Sequence, residues 1–258
     1  MSRTLPPLDL HAHVATDITP RALEGLGAVV FAVTRSLDEY DKVSRRSDAV
    51  TVWGLGCHPG LMTAQRAYDE DRFGALLEKA AFVGEVGLDR SSRVPIERQT
   101  EVLESVLSAV AASPRLISVH SYRATNLVLE LIAQTGAEHV ILHWWLGTES
   151  ETKRALDLGC MFSVNQSMDP VKLRAAGIPI TSLLPETDHP SGNRCGTSPR
   201  QPGQTLDVER SIGAAYGVDP ARVRDIFWKT FSAEVDTKGL FALLPPAVQK
   251  MTRFAQAK

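Results

Sequence analysis

The residues of this sequence with the most chemistry to offer are histidines and carboxylates that recur at the ends of short apolar runs. The first run closes on Asp9-Leu-His11-Ala-His13, the third on His58, the fifth on His120, the sixth on His143 and the eighth on Glu186-Thr-Asp188, while the fourth carries Glu85. A strand repeats its side-chain direction every two residues, so His11 and His13 point the same way and can chelate one ion. A lone His-x-His pair is as readily a pair of packed core histidines; its weight comes from the company it keeps. Burying so many titratable groups unpartnered costs solvation for each charge and a hydrogen bond for each imidazole, and a cation removes that cost by coordinating them. Histidines mixed with carboxylates suit Mg²⁺, Mn²⁺ or Zn²⁺, and six ligands exceed what one tetrahedral ion takes. Two divalent ions sharing Glu85 as a bridge is the economical arrangement. Such a pair, about 3.5–4 Å apart, activates a shared water and holds the attacking and leaving oxygens of a phosphodiester in line. Asp188 can ligate one ion and accept the proton from that water.

Those residues need elements that bring them to one place. Eight runs rich in β-branched residues supply strands at 7–13, 28–34, 49–58, 81–89, 115–121, 139–145, 160–166 and 178–188. Between them lie stretches such as 97–113 and 124–136, whose apolar positions recur at three and four as in amphipathic helices. Strands that are apolar without alternation are buried on both faces, as in a parallel sheet wrapped by helices. Eight βα repeats over 258 residues predict a TIM (β/α)8 barrel, one domain spanning 1–258. The competing open, doubly wound sheet would call for a GxGxxG turn after the first run, and the glycines there do not follow it. In a barrel, side chains at the C-terminal strand ends converge on one mouth. Two segments leave the rhythm. Residues 189–203, dense in Gly, Pro and Ser, read as a loop over that mouth. Residues 237–258 carry Lys238, Lys250, Arg253 and Lys258 with no acidic residue, and read as a basic C-terminal helical tail that either closes the barrel bottom or meets a partner.

Composition narrows the partners. Lys plus Arg total 28 against 30 for Asp plus Glu, a net charge of -2, which argues against gripping nucleic acid through a broad basic face. A phosphate substrate would need local charge from a few arginines or from metal ions. Cys57, Cys160 and Cys195 are an odd number without CxxC spacing and read as reduced thiols of a cytosolic protein. No stretch approaches the roughly 18 apolar residues of a membrane span, and the N-terminus lacks a signal-peptide core, so a soluble cytoplasmic protein is expected.

The pieces DLHAH, GCHPG, VGEVGLD, SVHSYRA, VILHWWLG, CMFSVN and LLPETDHP, in this order over residues 8–190, resemble the TatD family of metal-dependent deoxyribonucleases among the amidohydrolase-like barrels. The resemblance implies metal ligation by His11, His13, Glu85, His120, His143 and Asp188, with Glu85 and Asp188 catalytic, and phosphate contacts from His58 and Arg123. It also implies DNA as the substrate and 3′-to-5′ exonuclease action. HWWLG followed by GCMFSVN is most similar to TatD-like nucleases of Qat anti-phage defence systems, which implies further defence-system subunits as partners. The sequence departs from the family where His-x-Phe-Ser/Thr-Gly is replaced by a motif with Trp145 and Leu146, and where an Asn-Pro after ETD is missing. The fourth run has no lysine, so Glu85 takes the bridging place that a carboxylated lysine holds in other amidohydrolase-like enzymes.

Trp144 and Trp145 follow a proposed ligand, so one is expected inward and the other outward. A tryptophan at the mouth could stack on an unpaired base, worth ~1–3 kcal/mol, and packing against a helix is the equal alternative. Arg90, Arg93 and Arg98 offer either phosphate contacts or a solvated loop. Asp9 is expected to orient a ligand or a loop rather than to bind metal. A narrow mouth without a basic stripe favours single strands or strand ends. Two rival readings are a metallo-hydrolase of a small amide, ester or phosphate, and a partner-binding subunit of a defence complex.

Overall fold

A computed structural model describes residues 4–193 and 201–258. Cys195, expected to be a reduced thiol, lies outside the described residues. The eight strands are β1 Leu8–His13, β2 Val29–Val33, β3 Thr51–Leu55, β4 Phe82–Gly87, β5 Leu116–His120, β6 Val140–Leu142, β7 Met161–Val164 and β8 Leu183–Pro185. They form a single sheet in sequence order from β1 to β8. The sheet closes on itself: the Asp188 N–H donates to the His11 carbonyl and the His13 N–H to that of His189, each at 2.9 Å. The helices are α1 Pro20–Glu24, α2 Leu37–Val43, α3 Met62–Arg66, α4 Glu70–Leu77, α5 Ile96–Ala112, α6 Thr125–Thr135, α7 Glu149–Asp157, α8 Pro170–Ala175, α9 Leu206–Tyr216, α10 Pro220–Asp236 and α11 Pro246–Gln256. This is the α/β barrel expected of eight βα repeats.

Strands β2, β3 and β4 are buried at every position, as strands covered on both faces must be. All eight strands are shorter than the apolar runs that carry them, and the two shortest have three residues each. In 178–188, Ile180–Ser182 form a 3₁₀ turn before β8, because Pro179 cannot donate to a ladder. In 139–145, β6 ends at Leu142 and Trp144 takes a left-handed φ of 44°.

Two compact units make up the chain, Met1–Ala32 with Ser47–Val52 and Ser163–Lys258, and Val33–Arg46 with Trp53–Phe162. In the first, α10 packs against the start of the chain. Its Trp228 Nε1 donates to the Pro6 carbonyl at 2.8 Å, and Phe231 meets Phe31 edge-on at 5.3 Å. The Arg224–Glu209 pair, 2.7 Å apart, links α10 to α9. Helix α11 buries Val248, Thr252 and Ala255, and the Ser232 hydroxyl on α10 donates to the Thr252 carbonyl at 3.3 Å. Two of the basic side chains of this tail are engaged nearby, Arg253 over Phe241 and Lys258 on Asp225.

In the second unit, α5 turns Gln99, Val102, Leu103, Val106, Leu107 and Val110 inward, a three-and-four stripe. The β4–β5 register pairs Val83 with Ile117 and Val86 with Val119, with an irregularity between Val83 and Val86. Glu85 sits in that irregularity. Cys57 and Cys160 are buried free thiols, and burial pushes both up to about 12, which leaves them protonated and poor nucleophiles. No helix of the described residues is long and apolar enough to cross a membrane.

Candidate metal centre

The second unit places Glu85 where its backbone is fixed on both sides. Its N–H donates to the Thr34 carbonyl at 3.0 Å and its carbonyl accepts from the Cys57 N–H at 2.9 Å. The extra residue of the bulge re-aims the side chain, as bulges beside functional sites commonly do. The buried carboxylate is then divided among imidazoles. Oε1 lies 2.8 Å from His120 Nδ1 and 3.9 Å from His143 Nε2, and Oε2 lies 3.2 Å from His58 Nε2. The His120 ring stands 5.9 Å from each of the rings of His58 and His143. One ligand atom from each of Glu85, His120 and His143 falls within 4.8 Å of the others.

His58 is set apart from that trio by its tautomer. Its Nδ1 accepts the Gly60 N–H at 2.9 Å, so a neutral ring carries its proton on Nε2, facing Glu85. That makes His58 a donor rather than a ligand. His120 Nε2 is buried and makes no hydrogen bond; Asp89 Oδ2 is 3.9 Å away. The Asp89 carboxylate is turned by the Ser91 N–H at 2.7 Å, and Gln99 grips its backbone from α5 by accepting the Asp89 N–H at 2.7 Å. Gln65 in α3 donates to the Cys57 carbonyl at 3.2 Å and steadies the turn that leads into His58.

The first unit supplies a set of its own. His11 is fully buried, and its ring meets that of His13 edge-on at 5.3 Å. Asp188 Oδ1 lies 3.8 Å from the Nε2 of each. This is too long for hydrogen bonds. It suits a shared cation, since two metal–ligand bonds of about 2.1 Å span up to about 4.2 Å. Asp9 fixes this set in place. Its carboxylate accepts the Thr187 N–H at 2.8 Å, the Thr187 hydroxyl at 2.6 Å and the Gly203 N–H at 2.7 Å, tying β1 to the residue before Asp188. Burial pushes the Asp9 carboxyl up to about 6, with the Thr187 and Gly203 donors pulling the other way. Glu186 faces elsewhere, accepting from the Ser163 hydroxyl and from Asn165 Nδ2.

Three of the expected site residues have left-handed backbones, Arg123 at φ 55°, Trp144 at 44° and Asp188 at 43°. Each such conformation costs about 1–2 kcal/mol in a non-glycine residue. Arg123 is exposed and Trp144 is partly so. Trp145 is not a substrate contact: it is 2% exposed, packs on Phe162 at 5.3 Å, and spends its indole N–H on the Thr152 hydroxyl at 2.9 Å. Of the arginines after β4, Arg98 binds the Gln65 carbonyl and Glu101, whereas Arg90 and Arg93 stay exposed.

Asp89, Gln99 and Gln65 escaped the sequence reading. Asp89 lies within VGEVGLD, four residues after Glu85, and a glutamine on the apolar stripe of α5 is a buried polar group in need of a partner. Both signals were available.

Residues 8–233 match the family model of TatD-related DNases. Human deoxyribonuclease TATDN3 is 26% identical to this chain, with 71% of this chain and 78% of the human protein aligned. The putative deoxyribonuclease TATDN3 of Mus musculus is 25% identical, over 92% and 88% respectively. Among solved structures, the TatD homologue YJJV of Escherichia coli superposes with a TM-score of 0.75 at 20% identity, covering 88% of this chain and 96% of that one. A TatD family hydrolase of Entamoeba histolytica gives 0.71 at 15% identity, covering 90% and 99%. At these identities the superpositions speak for a common fold.

Proposed function

The chain belongs to the TatD-related DNase family, a family of hydrolytic nucleases, and we propose that it degrades DNA from the 3′ end, on single strands or strand ends. The reading rests most on Glu85, a buried carboxylate whose two oxygens face three histidines, His120 at the end of β5 and His58 and His143 in the chain just past β3 and β6. A nitrogen- and oxygen-rich donor set of this kind suits Mg²⁺ or Mn²⁺, with Zn²⁺ a further candidate. His11, His13, Glu85, His120, His143 and Asp188 are the proposed ligands of two such ions, with Glu85 as the bridge. Bound there, the ions supply Lewis acidity and a reactive water.

The chain's own residues do the rest. Asp188 accepts the proton of the attacking water, and its left-handed backbone aims the carboxylate for that task. His58 Nε2 donates from the Glu85 side towards a phosphate oxygen. Arg123 neutralises phosphate charge, and Trp144 offers an aromatic face to a base. Cytoplasmic anti-phage defence, with other subunits as partners, is the setting suggested by HWWLG and GCMFSVN.

Purified protein incubated with Mg²⁺ or Mn²⁺ and 5′-labelled single-stranded DNA is expected to give a ladder that shortens from the 3′ end. EDTA should abolish it, and His11→Ala or Glu85→Gln should lower kcat/KM at least about a hundredfold, beyond the effect of losing a mere supporting residue. Cleavage that survives EDTA, or that prefers small esters or amides to oligonucleotides, would overturn the proposal.

A further inference from the structure

Strands β5 and β6 are neighbours in the sheet, with Val119 paired to Leu142. The next residue in each case is a proposed ligand, His120 at the end of β5 and His143 just past β6. Just past those ligands the chain leaves two apolar side chains in the open, Tyr122 at 41% and Leu146 at 65% exposure. The partly exposed Trp144 lies between His143 and Leu146. Tyr122 is not a loose loop residue. Its carbonyl accepts the Arg90 N–H at 3.2 Å, joining the turn after β5 to that after β4. The Ser121 carbonyl accepts the Ala124 N–H at 3.1 Å and leads directly into α6. Arg123 adopts its left-handed backbone between these anchors and brings its guanidinium 5.4 Å from the Tyr122 ring.

An exposed aromatic ring on an anchored backbone, with a cation over one face and the other left for a base, matches the two ends of one nucleotide. The ring takes a base by stacking, and the guanidinium takes the phosphate attached to it. Bases within a duplex are already stacked on both faces, so only an unpaired or terminal base can use such a ring. We infer that Tyr122 is a nucleobase-stacking residue that, together with Arg123, gives the enzyme its preference for unpaired DNA without regard to base identity. The inference builds on the DNA-cleaving function proposed above. The phosphate contact of Arg123 is part of that proposal; the base contact of Tyr122 is new.

The test compares wild type with Tyr122→Ala, Tyr122→Leu and Tyr122→Phe on a single-stranded oligonucleotide. It also uses the same oligonucleotide with tetrahydrofuran abasic residues at its 3′ end. Loss of one stacked base corresponds to a rise in KM of about tenfold, within a range of roughly 5- to 150-fold. That rise is expected for the Ala and Leu variants, with Phe within about twofold of wild type. Wild type should suffer a similar rise on the abasic substrate, and Tyr122→Ala should suffer no further one, because ring and base act as one pair. Unchanged KM in Tyr122→Ala, or an undiminished abasic penalty in that variant, would overturn the inference while leaving DNA cleavage standing. If the Ala variant fails to fold by circular dichroism, the Leu variant carries the same comparison. Wild type that cleaves no DNA would instead overturn the function itself.

Discussion

Asp9 and Glu85 are both buried carboxylates on strands of the barrel, and what separates their tasks is the company each keeps. Glu85 is surrounded by ring nitrogens, which a cation can reorganise. Asp9 is surrounded by backbone N–H groups and a hydroxyl, which cannot leave, so it acts as a brace for the residue before Asp188. Removing the brace strands those donors at about 1–3 kcal/mol each. Asp9→Ala is therefore expected to lower stability by at least about 3 kcal/mol in urea unfolding and to weaken Mn²⁺ binding about 10- to 100-fold in calorimetric titration. Retention of both would show that Thr187 and Gly203 find other acceptors. The period-two spacing of His11 and His13 and the supporting role of Asp9 were legible in the sequence because β1 is a regular strand. The burial of one tryptophan and partial exposure of the other follow the expected alternation, but which of base stacking and packing Trp145 serves was not legible, because both are open to a tryptophan at that place and β6 already ends at Leu142. Glu85 is aimed by a bulge rather than by alternation.

At the scale of elements, the site depends on how closely β4 approaches its neighbours. A Cβ at Gly87, where φ is 141°, would fall 2.1 Å from the His120 carbonyl oxygen, and one at Gly56 would fall 1.9 Å from that of Thr34. These glycines let the backbones that carry Glu85, His58 and His120 lie side by side. Gly87→Ala must part β4 from β5, because the atom it meets is backbone and cannot swing away. The expected cost is about 2–4 kcal/mol, together with loss of most nuclease activity. Gly136→Ala is the control, since a Cβ there meets nothing within 4 Å and only the left-handed φ of 69° is strained; activity is expected to persist. Equal activity in Gly87→Ala and wild type would refute the close-approach argument. Strand number and parallel pairing could be read from uninterrupted apolar runs, since only strands covered on both faces are written that way. Strand ends could not. In the runs over 139–145 and 178–188, buried residues continue from the ladder into the chain beyond it, and the second run also holds a 3₁₀ turn with no buried residue, so apolar composition does not mark where the strand stops.

The charge of the whole molecule decides how much of a DNA strand it can hold. A net charge of -2 argues against a broad basic face, and near the C-terminus Arg253 lies over Phe241 while Lys258 is spent on Phe254 and Asp225. Two divalent ions would bring about four positive charges to the point where one phosphate must sit, reversing the sign locally and not elsewhere. The grip is therefore narrow, and its width can be measured. For single strands, the logarithm of the binding constant falls with the logarithm of salt concentration at a slope of about -0.7 per neutralised phosphate. His58, Arg123 and the ion pair together account for roughly two to four phosphates, which gives a slope between about -1.4 and -2.8. Anisotropy titrations of a labelled oligonucleotide from low to high NaCl, with Ca²⁺ replacing the catalytic ion, read that slope directly. A value steeper than about -5 would reveal an extended cationic track along the strand. A shallow slope would instead place specificity in metal ligation and base stacking, where removing Tyr122 lowers affinity without flattening the salt dependence, and removing Arg123 flattens it by about one phosphate.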